Sequence, residues 1–172
     1  MAHKKTTEQP FLRLEIDNSH RVRVVEALQD SPPFSVQADA VEEDTALVLS
    51  TDSSILYATH EHPVRVMTAL YDEPARKPGS VVVQGSRPYH FSAIVHDFDQ
   101  PISFREEWVC SALNEILLQC ESRKILALKL APVGTCHGTL TFSEFRQHLM
   151  TLLDHFEARS LKQIWLVTPY LY

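Results

Sequence analysis

The stretch KILALKLAPVGTCHGTLTFSEFRQHLMTLLDHF, residues 124–156, decides the fold class. Lys124 to Leu130 is an apolar run of strand length that stops at Ala131-Pro132. A loop from Val133 to Thr139 carries Gly134 and Gly138. Beyond it Phe142, Phe145, Leu149, Leu152, Leu153 and Phe156 recur at helical spacing. Thr141 and Glu144 stand where a capping box needs them. Strand, glycine-bearing loop and helix form the repeating unit of an α/β sheet, whose ligands sit outside the carboxyl ends of the strands. Glycines there let backbone N–H groups approach an anion, and the helix N-terminus adds positive potential. The loop is neither a Walker A sequence nor a Rossmann fingerprint. The plain alternative is a strand-to-helix turn that uses glycine for its geometry alone.

Working outward, Ile164-Trp165-Leu166-Val167 before Pro169 reads as a closing strand, and Ser103 opens a helix to about Ser122 with the stripe Trp108, Ala112, Leu113, Ile116, Leu117 and Cys120. Ser80–Gln84 and Phe91–Val95, separated by Gly85-Ser86-Arg87-Pro88, are expected as adjacent strands. Pro63 to Tyr71 has helical spacing at Val64, Met67 and Leu70. Ala46-Leu47-Val48-Leu49 is predicted to be a central strand covered on both faces, and Phe34–Gln37 a short strand. Between them Asp39, Glu42, Glu43 and Asp44 read as an acidic, solvated turn. Leu12, Leu14 and Ile16 alternate with polar residues, while His20–Gln29 fits strand or helix. The alternation of elements predicts an α/β protein, a three-layer α/β/α sandwich with a mixed central sheet.

With 172 residues, the chain is expected to form one domain. Residues 1–10 are expected to be a mobile tail, 11–33 an extension and 34–168 the core. A net charge of −6 speaks against a nucleic-acid or anionic-membrane partner. No segment reaches the roughly 18–20 apolar residues of a membrane span. Three cysteines, Cys110, Cys120 and Cys136, without CxxC spacing predict reduced thiols and a cytoplasmic setting.

The order of these segments resembles the macrodomain family, the ADP-ribose-binding modules. Phe34–Ala40 resembles the strand leading into that family's Gly-Asp-Ile, and Ala46–Asp52 the strand leading into its Asn-Ala-Ala-Asn. Pro78–Val83 with Ala93–His96 resembles its Pro-Gly turn and Val-Ile-His strand. Ala131–Gly138 resembles its phosphate loop. The likeness implies binding of ADP-ribose or a related nucleotide diphosphate, with weak or no catalysis; any catalysis would be hydrolysis of ADP-ribosyl linkages. Asp39 would then read the adenine amino group, Asp52 the ribose region, and Gly134, Thr135, Cys136, His137 and Gly138 the phosphates. No cofactor is implied. Ala38 replaces a family glycine, Ser50-Thr51-Asp52-Ser53 replaces Asn-Ala-Ala-Asn, and Tyr57–His62 lacks the glycines of the first loop. Those losses predict weakened diphosphate binding. The alternative implied is a degenerate module with a protein partner, as in the amino-terminal assembly domain of leucyl aminopeptidases.

Two further constellations stand in the sequence. His60, Glu61, His62, Cys136 and His137 are metal-ligand types, but their spacing matches no strong metal signature, and no metal is expected. Cys136 next to His137 is a poor nucleophile–base dyad, because neighbours in extended chain point oppositely; His90 or His96 would have to serve. His96-Asp97-Phe98-Asp99 reads as a strand end with two loop-capping carboxylates.

Overall fold

The computed structural model describes residues 14–15, 22–49, 74–100 and 103–169, the first two by backbone only. Seven strands form one mixed sheet in the order β1-β2-β7-β6-β3-β5-β4. They are β1 (Leu14–Glu15), β2 (Arg23–Leu28), β3 (Ala38–Asp44), β4 (Val81–Gln84), β5 (Tyr89–His96), β6 (Ala127–Leu130) and β7 (Gln163–Thr168). The β1–β2 and β4–β5 pairs are antiparallel and the other four pairs are parallel. Helices α1 (Glu106–Ser122) and α2 (Phe142–His155) supply the connections on either side of β6.

Alternation along the strands sends Val24, Ala38, Ala40, Phe91, Ala93, Leu128, Leu130, Ile164 and Leu166 into one core with Leu113, Ile116 and Leu117 of α1 and Phe145, Leu149 and Leu153 of α2. Both helices therefore serve the same face. Each valine, leucine, isoleucine or phenylalanine among them contributes about 1.5–3 kcal/mol relative to exposure. The opposite face gathers Ala27, Trp165 and Val167 against Phe34 and Val36. There the Trp165 indole N–H donates to the Ala27 carbonyl at 3.1 Å, and Lys129 lies over its ring. The helix expected at 63–71 lies outside the described residues.

The sequence reading holds for β4, β5, β6, β7, α1 and α2. Thr141 caps α2 as expected, its hydroxyl accepting from the Glu144 amide while the Glu144 carboxylate accepts from the Thr141 N–H. Ser103 does not cap α1; Arg105 stands at that position without a side-chain cap. Within the ambiguous segment 20–29, Arg23–Leu28 is β2. It lies inside the sheet between β1 and β7. The main correction concerns the middle of the chain. Ala46–Leu49 is a turn rather than a strand, Phe34–Gln37 is irregular, and the acidic segment between them is β3, paired on both sides.

Glu121 ties the end of α1 to the start of β7. Its carboxylate accepts hydrogen bonds from the N–H groups of Arg159, Ser160 and Leu161 at 2.9–3.1 Å. Partial burial by itself raises its pKa; the amide donors outweigh it and hold the carboxyl below the ordinary 4.5. A depressed folded-state pKa adds stability above the unfolded value, and that stability is lost as pH falls through the folded one. Glu121→Gln is expected to destabilise the protein above pH 4.5, with the gap to wild type closing in more acid solution. Urea unfolding at several pH values measures this, and a gap independent of pH would contradict the assignment.

Candidate functional site

Parallel pairing of β3, β6 and β7 brings their carboxyl ends to one edge, where the loop 131–139 leaves β6. The Ala131 N–H continues the ladder onto the Ala40 carbonyl at 2.9 Å, which carries the loop alongside residues 41–44 of β3. Alternation points Glu42 to the same face as Ala38 and Ala40, toward the loop.

Glu42 is 9% exposed, and the loop closes on it. The Gly134 N–H donates to its Oε2 at 2.5 Å and the His137 N–H to its Oε1 at 2.9 Å. The His137 ring adds Nδ1 at 2.6 Å from the same Oε1. His96, the last residue of β5, places Nε2 3.8 Å from it, too far for a hydrogen bond. Burial pushes the Glu42 carboxyl up, but the two imidazoles and two amides together outweigh it, so its pKa is lowered. Glu42 is thus a buried carboxylate bound by the loop's own backbone.

Its neighbours behave alike. Glu43, 1% exposed, accepts from the Asp44 and Leu49 N–H groups at 3.0 and 2.7 Å. Asp44 accepts from Ala46 at 2.6 Å and Val48 at 3.4 Å. Three consecutive carboxylates at the end of β3 gather the amides of the surrounding turns.

The loop glycines meet protein as well. Gly134 has φ +83°, and a Cβ there would lie 2.8 Å from the Phe104 ring and 2.9 Å from Val109. A Cβ on Gly138 would strike the Gly134 carbonyl and lie 2.7 Å from Phe104. Both glycines are therefore required by close packing inside the chain. Thr135 is also turned inward, its hydroxyl donating to the Pro132 carbonyl at 2.7 Å.

Gly134, Thr135, Cys136, His137 and Gly138, expected to meet phosphates, form the loop over Glu42, and the amides of Gly134 and His137 are already engaged. Asp39 is not with them. It lies near the amino end of β3, on the opposite face from Glu42, and pairs with His90 Nδ1 at 2.8 Å. Asp52, and with it His60, Glu61 and His62, lies outside the described residues. Cys136 is exposed, and burial first, then the Glu42 charge, raises its thiol pKa, which does not favour a nucleophilic thiolate. The sequence reading put Glu42 in a solvated turn and offered His96 only as a base for Cys136, not as a neighbour of Glu42. A carboxylate flanked by Val41 and followed by Glu43-Asp44 has no local mark of burial; only its pairing with a loop about ninety residues downstream reveals it.

No family model matches the chain, and no curated protein does. Solved structures do. The macrodomain of Thermus aquaticus DarG superimposes with a TM-score of 0.59 at 17% identity, covering 85% of this chain and 98% of that one. The Oceanobacillus iheyensis macrodomain with ADP gives 0.64 at 11% identity, covering 93% and 90%. The fold is that of the macrodomains. A mutant of the Oceanobacillus protein with ADPR scores 0.61 at 12% identity, covering 91% and 90%. At such identities the likeness establishes the macrodomain architecture and nothing finer.

Gly134→Ala is expected to cost about 2–4 kcal/mol, from positive-φ strain plus overpacking against Phe104 and Val109. A loss below about 0.5 kcal/mol in denaturant unfolding, the usual size at an undemanding surface position, would contradict this packing. Glu42→Gln is expected to cost about 1.5–3 kcal/mol, the range for hydrogen bonds to a charged group. The same unfolding experiment checks it.

Proposed function

We propose that this chain is a macrodomain-fold module whose phosphate position is filled by its own Glu42, and that it acts as an interaction or assembly module without a bound nucleotide diphosphate. One observation carries this reading: the amides of Gly134 and His137, which a phosphate would need, donate to the Glu42 carboxylate. An internal carboxylate is held at high effective concentration and must be expelled before another anion can enter. Glu43 and Asp44, buried beside it, add negative charge to the same edge. Two like charges a few ångströms apart repel strongly where water is excluded.

The second reading is an ADP-ribose binder that opens the loop when ligand arrives. It is favoured by structural neighbours that carry ADP and ADPR. In that case binding must release Glu42 from both amides. Any turnover would be hydrolysis of an ADP-ribosyl linkage.

Calorimetry with ADP-ribose separates the two. The self-filled loop predicts no saturable heat with wild-type protein up to about 1 mM, equivalent to weaker than about −4 kcal/mol. Micromolar affinity of the wild type would overturn it. Glu42→Gln removes the competing charge, and binding that appears only in this variant would identify Glu42 as the occupant of the phosphate position.

A further inference from the structure

One buried imidazole nitrogen at this edge has no hydrogen-bond partner among the described residues. The His96 side chain is 7% exposed, its ring lies against Phe104 with centroids 5.5 Å apart, and it meets the His137 ring edge-on at 6.2 Å. Its Nε2 is buried and makes no hydrogen bond among the described residues. Leaving such a nitrogen unpaired costs about 1–3 kcal/mol, so its position calls for a cause. It faces Glu42 Oε1 at 3.8 Å. Single ligand atoms of Glu42, Cys136 and His137 all lie within 4.8 Å of one another, and His96 stands outside that group, reaching it through Glu42.

Carboxylate oxygen, imidazole nitrogen and cysteine sulfur together are the donor set of zinc and its first-row neighbours; calcium and magnesium take oxygen donors instead. Around a tetrahedral zinc, bonds of about 2.0–2.3 Å set the donor atoms roughly 3.3–3.8 Å apart. The Glu42–His96 gap of 3.8 Å would have to close by about 0.3–0.5 Å to the oxygen–nitrogen separation those bonds set. The Glu42–His137 contact, now 2.6 Å, would have to open by about 1 Å, and His137 is free to move because its side chain is half exposed.

We propose that Glu42, His96, Cys136 and His137 form a divalent transition-metal site of the zinc class, with Glu42 Oε1 at its centre of contacts. Glu42 and His96 come from the neighbouring strands β3 and β5 and the other two donors from the loop; Glu42, Cys136 and His137 are already gathered, and the His96 ring must turn toward them to complete the set. On binding, the Cys136 thiol gives its proton to solvent and coordinates as thiolate. The site rests on the reading in which Glu42 stays in the loop, and zinc uptake is measured separately from nucleotide binding. Gly134 remains bonded to the other carboxylate oxygen throughout.

The full-length chain, stripped with a chelator and dialysed, is titrated with zinc chloride against a chromogenic competitor, and with cobalt chloride as a spectroscopic probe. One equivalent of zinc is expected to bind, with a zinc-dependent rise in melting temperature. Cobalt is expected to show a thiolate charge-transfer band in the near ultraviolet. Cys136→Ser should abolish that band, and both Cys136→Ser and His137→Ala should weaken zinc at least tenfold. Both residues are exposed, so these variants are expected to fold. His96→Gln should act likewise, with circular dichroism reporting its fold. Absence of saturable uptake would overturn the proposal, as would uptake left unchanged by Cys136→Ser and His137→Ala.

Discussion

Every turn at the functional edge of this molecule depends on one constraint: backbone N–H groups at the carboxyl ends of the strands must find acceptors. Such groups cannot be left unpaired in a closed interior without a cost of about 1–3 kcal/mol each. In this chain Glu42, Glu43 and Asp44 supply the acceptors in succession, holding Gly134 and His137, then Leu49, then Ala46 and Val48. Charge makes these bonds stronger than neutral ones. The position of Gly134 against Phe104 then follows, because the loop is drawn down onto the face where α1 packs.

The same physics underlies anion binding by such loops. Amides that converge near a helix N-terminus attract negative charge whether it arrives on a ligand or on a side chain. A side chain on the adjacent strand pays no translational entropy to reach them, and so it wins unless the ligand brings further contacts. The lowered pKa of Glu42 records the outcome: despite burial, the charged form is favoured, as it would be for a bound phosphate. Likeness of fold to structures that carry ADP is compatible with this, since architecture places the loop but not what fills it.

Much of the fold is legible from local pattern. Thr141 with Glu144 marks the start of α2, the paired apolar runs flanking Gly85 mark β4 and β5, and Ile164–Val167 marks β7. β3 is not legible, because three acidic residues in a row ordinarily lie in water and no neighbour in sequence says otherwise. Its register comes from β5 and β6, and its burial from a loop about ninety residues later. The apolar run Ala46–Leu49 drew the strand assignment to itself, yet Leu47 with φ 59° turns the chain there. The displaced strand also displaced the site: Asp39 was expected at the ligand end and stands at the other, paired with His90. The loop after β6 and its two glycines were legible, since glycine spacing and position after a strand are local properties. What they contact was not.

Glu42 has two oxygens, and they are used differently. Oε2 accepts the Gly134 amide, buried beneath the loop, and so keeps the loop closed. Oε1 faces both imidazoles. A phosphate entering the loop must compete for both, because it seeks the same amides that the carboxylate holds. A cation needs only Oε1, exchanging its contact with the His137 ring for a metal bond while the Gly134 anchor stays in place. Opposite charge also suits the edge built by Glu42, Glu43 and Asp44, where desolvated carboxylates repel an anion and attract a divalent ion. A loop architecture able to cradle anions, once closed by a carboxylate of its own, thereby becomes suited to a cation.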